Sequence, residues 1–214
     1  MSAHGTGGVL RRTNGDQSAI SDRANERWLV SAHVRKYFLP NRSSAAHRDA
    51  RSMIIRDALE ADLPAIVEIY NATIPTRMVT AELEPVTTEG RLPWFREHSP
   101  NGHPLWVAEI DGAIAGWFSF HSFITRCAYR GTAEVSVYVG ESYRRGGVAR
   151  GLLEEAIVRS PQLRITALVG CIFGHNEPSL KLFERFGFQR WGFLPRIARL
   201  DGVERDLVIM GRHV

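Results

Sequence analysis

Ser136-Val137-Tyr138-Val139-Gly140-Glu141-Ser142-Tyr143-Arg144-Arg145-Gly146-Gly147-Val148-Ala149-Arg150-Gly151-Leu152-Leu153 is the stretch on which the reading of the whole chain turns. It starts as a strand, passes through Gly and Arg, and opens an amphipathic helix. A strand that enters a helix through such a loop presents free backbone N–H groups and the positive helix end to an anion, usually a phosphate. Gly146 and Gly147 let the backbone approach closely, while Arg144, Arg145 and Arg150 add charge. The same composition also suits a solvated helix cap. The sequence contains neither GxxxxGK[ST] nor GxGxxG, which excludes an NTPase loop and a dinucleotide fold.

Outward from this stretch the pattern stays regular. Thr132 to Val139 alternates, with Val135, Val137 and Val139 on one face and Glu134 on the other. Upstream, Leu105–Ile110 and Ala113–His121 flank Asp111-Gly112, a hairpin signal because both turn positions take positive φ. Met53–Arg56 reads as a short strand. Asp62 is placed to cap a helix with Leu63, Ile66, Ile69 and Tyr70 on its apolar face. A second helix follows Thr87 or Thr88. Downstream, the helix from Gly147 to Val158 stops at Pro161, and Ile165 to Phe173 is a buried strand. Asn176 or Ser179 begins a helix that ends at Gly187. Strands near Arg190–Leu200 and Arg205–Gly211 turn at Asp201-Gly202. The sum is one mixed α/β domain without repeats.

The first 52 residues differ. They hold nine Lys and Arg against four Asp and Glu, whereas the remainder holds 18 against 19, so the net charge of +4 belongs to the front end. A nucleic-acid binder carries its basic patch on the fold itself, which counts against nucleic acid as a partner. Residues 1–52 read as a flexible or non-native extension, and residues 53–214 as the folded domain. A targeting segment and translation upstream of a start at Met53 remain open for this front end. Within it, Ala24 to Leu39 is expected to form a short helix carrying Trp28, Leu29, Val34, Tyr37 and Phe38.

No apolar run approaches the roughly 20 residues that cross a bilayer, so no membrane role is expected. Two distant cysteines, Cys127 and Cys171, suit a reducing, cytoplasmic setting and form no metal cluster. The eight histidines include no HxxxH, so no metal site is expected.

Arg144-x-x-Gly147-x-Ala149 resembles the R/Q-x-x-G-x-G/A signature of the GNAT superfamily of N-acetyltransferases, at the junction of strand and helix. Ala133-Glu134-Val135-Ser136-Val137-Tyr138-Val139 is similar to the AE-x-x-VYV strand of the phosphinothricin acetyltransferase-like branch. His175-Asn176-Glu177-Pro178-Ser179-Leu180 resembles its N-x-P-S segment, and Leu182 to Phe188 its closing L-x-E-x-x-GF. The likeness spans 53–214 in order and spacing.

The resemblance implies an α/β fold with a central mixed, mostly antiparallel sheet flanked by helices. It implies acetyl-CoA as co-substrate, with Val137, Tyr138 and Val139 pairing with the pantetheine arm and Arg144, Arg145, Gly146, Gly147, Val148, Ala149 and Arg150 around the pyrophosphate. Asn176 contacts the arm from the other side. It implies Glu134 as the base that frees the acceptor amine, since an ammonium has no lone pair to attack a thioester, and a backbone N–H near Val137 as an oxyanion donor. Relatives carry Tyr or His as a proton donor where Phe183 stands, and phenylalanine donates nothing. Glu82, in Thr80-Ala81-Glu82, and Arg126, in a segment similar to FRxRxAYR, are candidate acceptor contacts; Arg126 suits a substrate carboxylate. The partners implied are a small-molecule amine, such as phosphinothricin or methionine sulfoximine, and a second copy in a homodimer. Polyamines, protein N-termini, a non-catalytic acyl-CoA-binding module and nucleic-acid association through the basic front end are the other readings.

Overall fold

The computed structural model describes residues 34–39 and 51–214. In chain order the elements are β1 (Arg35–Leu39), β2 (Arg51–Asp57), α1 (Leu63–Asn71), α2 (Thr88–Arg96), β3 (Leu105–Ile110), β4 (Ala113–Ser122), β5 (Thr132–Val139), α3 (Val148–Arg159), β6 (Ala167–Phe173), α4 (Glu177–Arg185), β7 (Gln189–Leu200) and β8 (Val203–His213). The strands form one eight-stranded sheet in the order β1-β2-β3-β4-β5-β6-β8-β7. Only β5 and β6 run parallel; every other neighbouring pair is antiparallel. The mixed, mostly antiparallel sheet with flanking helices is the expected one.

Period-two alternation decides which helix covers which side. Trp106 and Ala108 of β3, Phe118 and Phe120 of β4, and Ala133 and Val135 of β5 pack with Val148, Leu152 and Ala156 of α3 and with Leu180 and Phe183 of α4. Their in-between neighbours Leu105, Val107 and Trp117 pack instead with Leu63, Ile66, Val67 and Ile69 of α1. Each large apolar side chain so buried contributes roughly 1.5–3 kcal/mol, so both faces hold the sheet.

Local signals set the connections. Asp111 and Gly112 take φ of 53° and 80°, as the β3–β4 turn requires. Thr87 caps α2, its hydroxyl accepting the Gly90 N–H at 3.0 Å. Asp62 precedes α1 without capping it. Its carboxylate points backward, accepting the Leu59 N–H at 2.7 Å and the Arg56 guanidinium at 2.6 and 3.0 Å.

One expectation fails at the front end. Arg35–Leu39, read as part of a helix over 24–39, is strand β1, paired antiparallel with β2 from Arg35↔Ile55 to Leu39↔Arg51; the rest of that stretch lies outside the described residues. Strand pairing thus begins upstream of residue 53. The reason is tertiary: the open edge of β2 satisfies five residues of backbone at once, which outweighs a weak helical period. β1 also meets a buried charge. Glu155 of α3 is 3% exposed. It accepts from the Tyr37 hydroxyl at 2.6 Å and from Arg35 Nη1 at 3.0 Å. Arg159, one turn on, lies over the Trp106 ring at 4.6 Å.

Candidate functional site

β5 and β6 pair over only three residues, Thr132↔Ala167, Ala133↔Leu168 and Glu134↔Val169. Beyond them β5 continues beside β4 to Val139, and β6 continues beside β8 to Phe173. The facing edges of 136–139 and 170–173 therefore part, and β5 turns one backbone edge to a cleft. Such an edge offers N–H and C=O groups to an extended amide-bearing chain. Val137, Tyr138 and Val139 are half-buried along it.

The loop that follows continues the same track of donors. Arg145 takes φ 60° and Gly147 φ 93°, immediately before α3 begins at Val148. Left-handed residues in this spacing turn neighbouring N–H groups to one side as an anion-binding nest, and the first-turn N–H groups of α3 have no partner within the helix. Gly147 tolerates this φ because it lacks a Cβ. Arg144, Arg145 and Arg150 are exposed; Gly146 and Ala149 are half-buried. Val148 is 1% exposed and packs in the core, so only its backbone faces the loop.

On the other face lies a cavity of about 240 Å³. Its floor is made by three consecutive same-face pairs of β4 and β5: His121↔Glu134, Ser119↔Ser136 and Trp117↔Tyr138. The last pair stacks, with ring centroids 4.2 Å apart. α1 supplies Ile66, Val67 and Tyr70; α2 supplies Arg91 and Trp94, with Val86 between them. The Trp117 indole donates to the Ile66 carbonyl at 3.1 Å, and the Tyr70 and Thr80 hydroxyls are 2.6 Å apart.

Electrostatics separate the polar groups of this floor. Burial pushes the Glu134 carboxyl above its ordinary value, and a hydrogen bond with the Cys171 thiol draws it partly back. Burial, then the Glu134 charge, push that thiol up to about 12, so it keeps its proton and donates. Burial drives His121 down to about 4, helped by His98, His103 and Arg91, so the ring is neutral at neutral pH. Burial also raises the Tyr138 phenol, which stays protonated.

The structure brings some of the candidates named from sequence together and leaves others apart. Val137–Val139 and Arg144–Arg150 line one continuous edge and loop, and Glu134 stands on the cavity floor where β5 and β6 part. Asn176 is buried at the head of α4. Its oxygen accepts the Ser179 N–H at 3.2 Å and its amide donates to the Met78 carbonyl at 2.9 Å, which leaves one N–H and one acceptor position. Neighbouring His175 Nε2 donates to the Arg77 carbonyl at 2.8 Å, so both residues tie α4 to the loop after α1. Glu82 is exposed, 3.7 Å from Arg91, and is not among the cavity-lining residues. Arg126 is exposed and is not among the cavity-lining residues. Phe183 is 3% exposed, packed on Phe188 at 4.7 Å and over Gly170, and belongs to the core.

The sequence reading did not single out Arg91, Trp94, Ser119, His121 or Ser136. One signal was present: Trp117, Ser119 and His121 recur at every second position of a strand whose other face is Phe118 and Phe120. Nothing in α2 marks Arg91, because Tyr70 and the strand residues that share the cavity with it lie far away in sequence. Among the described residues there is no group of three His, Cys, Asp or Glu side chains placed to hold a metal, and no helix is long and apolar enough to cross a membrane.

Known proteins resemble this chain in sequence and in fold. The model of the Acetyltransferase (GNAT) family matches residues 63–188. YwnH of Bacillus subtilis, provisionally named a phosphinothricin acetyltransferase, is 52% identical over 163 residues, which cover 76% of this chain and 99% of YwnH. The L-methionine sulfoximine/L-methionine sulfone acetyltransferase of Pseudomonas aeruginosa is 33% identical over 160 residues, covering 74% and 93% of the two chains. The solved phosphinothricin acetyltransferase of Sinorhizobium meliloti, in complex with acetyl-CoA, superposes with a TM-score of 0.71 at 30% identity, covering 75% of this chain and 87% of that one.

Proposed function

Because this chain belongs to the GNAT family of acetyltransferases, we propose that it moves acetyl from acetyl-CoA to the primary amine of an amino acid or amino-acid analogue, with Glu134 as the base. Acetyl-CoA-dependent N-acetyl transfer is the activity of the family, and the similar proteins named for phosphinothricin and methionine sulfoximine support an amino-acid-like acceptor. The observation that carries the assignment of roles is the parting of β5 and β6 at Glu134, which leaves a backbone edge beside a carboxylate-bearing cavity.

On this reading Val137, Tyr138 and Val139 offer their edge to the pantetheine arm. Arg144, Arg145, Gly146, Gly147, Ala149, Arg150 and the Val148 backbone surround the pyrophosphate, and Asn176 keeps one N–H for the arm. Bound there, acetyl-CoA supplies the acyl thioester. The acceptor amine reaches Glu134 from the cavity side as an ammonium and gives up a proton to its carboxylate, which the Cys171 thiol orients. A raised carboxyl holds that proton better than an ordinary one does. A backbone N–H near Val137 steadies charge on the acyl oxygen. Phe183 donates no proton to the departing thiolate, and a thiol with a pKa near 8.5 leaves tolerably without one.

A homodimer and a cytoplasmic setting go with this reading. Edge strand β7 exposes Phe193 and Ile197 at 59% and 61%, an apolar row that a second copy would cover. Cys127 and Cys171 are both free thiols.

The test is release of CoA thiol from acetyl-CoA by the full chain, with phosphinothricin, methionine sulfoximine, polyamines and short peptides as acceptors. Release dependent on the first two is expected. Release with polyamines or peptides alone would move the acceptor class, and acetyl-CoA binding without release on any amine would overturn the proposal.

A further inference from the structure

The cavity carries charge of both signs on different walls. Glu134 supplies the negative charge from β5, and Arg91 supplies the positive charge from α2. Among the described residues Arg91 is the sole permanent cation that lines the cavity; the other basic side chain there, His121, is neutral at neutral pH. Arg91 and Glu134 line the same cavity, together with Tyr138, so the two charges share one small space.

Arg91 is held in place without being used up. Its guanidinium carbon lies 4.6 Å from the centre of the Tyr70 ring and 5.5 Å from that of Trp94. Stacking of this kind fixes the plane of a guanidinium while leaving its N–H edge open. Its one ion-pair partner among the described residues is Glu82, at 3.7 Å, beyond hydrogen-bond distance, with the Glu82 side chain 51% exposed. The side chain of Arg91 itself is 23% exposed. A half-buried, pre-oriented fork with free donors matches a carboxylate.

We propose that Arg91 is the anchor for the acceptor's carboxylate, and that the distance between Arg91 and Glu134 is what selects an α-amino acid over a simple amine or a polyamine. The inference rests on the acetyl-transfer reading above and assigns specificity within the same site. The acceptor's ammonium faces Glu134, its carboxylate faces Arg91, and its side chain lies among Ile66, Val67, Val86 and Trp117. A cavity of about 240 Å³ fits one such molecule, since a water occupies about 30 Å³. A polyamine would set its second cation against Arg91. The carboxylate contact anticipated at Arg126 is thereby placed on α2, across the cavity from the base.

The experiment compares L-methionine sulfone with its carboxamide, which keeps the amine and the side chain and loses the charge. For the full-length wild-type chain, kcat/KM is expected to favour the free acid by about 10–100-fold, the range for a hydrogen-bonded charged contact. In Arg91→Gln the ratio of acid to carboxamide falls toward one, chiefly through KM for the acid, and Arg91→Lys restores part of it. A merely structural role would lower both acceptors together and leave the ratio at its wild-type value, which would overturn the proposal. If Arg91→Gln fails to fold, the wild-type ratio still decides: equal use of acid and carboxamide overturns the anchor. Fluorescence of Trp94 and Trp117 on acceptor binding separates the two readings. Transfer to both acceptors alike leaves the transferase standing and removes the anchor, whereas preferential binding of the acid without transfer does the reverse.

Discussion

Glu134 and Glu155 are withdrawn from water on opposite faces of one sheet, and their surroundings differ in kind. Glu155, on the α3 face, accepts from Tyr37 and Arg35, and its neighbour Arg159 is stacked on Trp106. Glu134, on the cavity face, has no cationic partner among the described residues; the Cys171 thiol hydrogen-bonds to it, and burial raises its pKa. A buried charge with its donors supplied holds structure together, because removing a donor strands the charge. A half-buried charge left short of donors is a group ready to exchange a proton. The same residue type thus does opposite work according to what the opposing elements bring to it.

The contrast is most exposed to failure at Glu134. Glu134→Gln is expected to lower kcat by about 10²–10⁴-fold, the usual range for a positioned base, while equilibrium dialysis shows acetyl-CoA still bound. Turnover near wild type across the alkaline range would break the comparison. The same variant should also change how stability depends on pH. Burial raises the folded-state pKa above the ordinary 4.5, so the folded chain holds this proton more tightly than the unfolded one. That contribution is fully present below pH 4.5 and is lost as the pH rises through the raised folded value. Thermal melts of Glu134→Gln should therefore gain on wild type between pH 4.5 and neutrality.

On the other face the expected effects are on stability and not on turnover. Tyr37→Phe removes a 2.6 Å hydrogen bond to a buried carboxylate, and denaturant unfolding should show a loss of about 1.5–3 kcal/mol with kcat retained. Thr87→Ala removes the cap of the helix that carries Arg91 and Trp94. It should cost about 1 kcal/mol and raise KM for the acceptor but not for acetyl-CoA. The smallest effect is at Glu177, paired with Lys181 at 2.9 Å with both side chains exposed. Glu177→Gln should leave the denaturation midpoint unmoved, because exposed pairs contribute little.

How much of this was legible follows from how local each feature is. The strand, loop and helix from Ser136 to Leu153 were readable because alternation, Gly-Gly and the apolar helix face are all contained in the stretch itself. The β3–β4 turn was readable for the same reason, since Asp111-Gly112 states its own φ angles. The cavity was half readable. Period two sends Glu134 away from Val135 and Val137, but His121, Ser119 and Trp117 become a floor only through the β4–β5 register. Arg91 reaches that floor from α2 through tertiary packing alone. β1 was misread because its partner, the edge of β2, lies outside any local window, and five residues give too few turns to tell one period from another.

The short pairing of β5 with β6 has a consequence for isotope exchange. Successive N–H groups of a strand point to opposite edges, so about every second amide between Ser136 and Val139 faces the cleft, while the others are locked against β4. In deuterated buffer the ligand-free protein should show these few amides as fast-exchanging sites inside an otherwise slow sheet. Addition of a CoA-bearing ligand should slow them selectively, so that a mass or magnetic-resonance readout of one strand becomes a clock for occupancy.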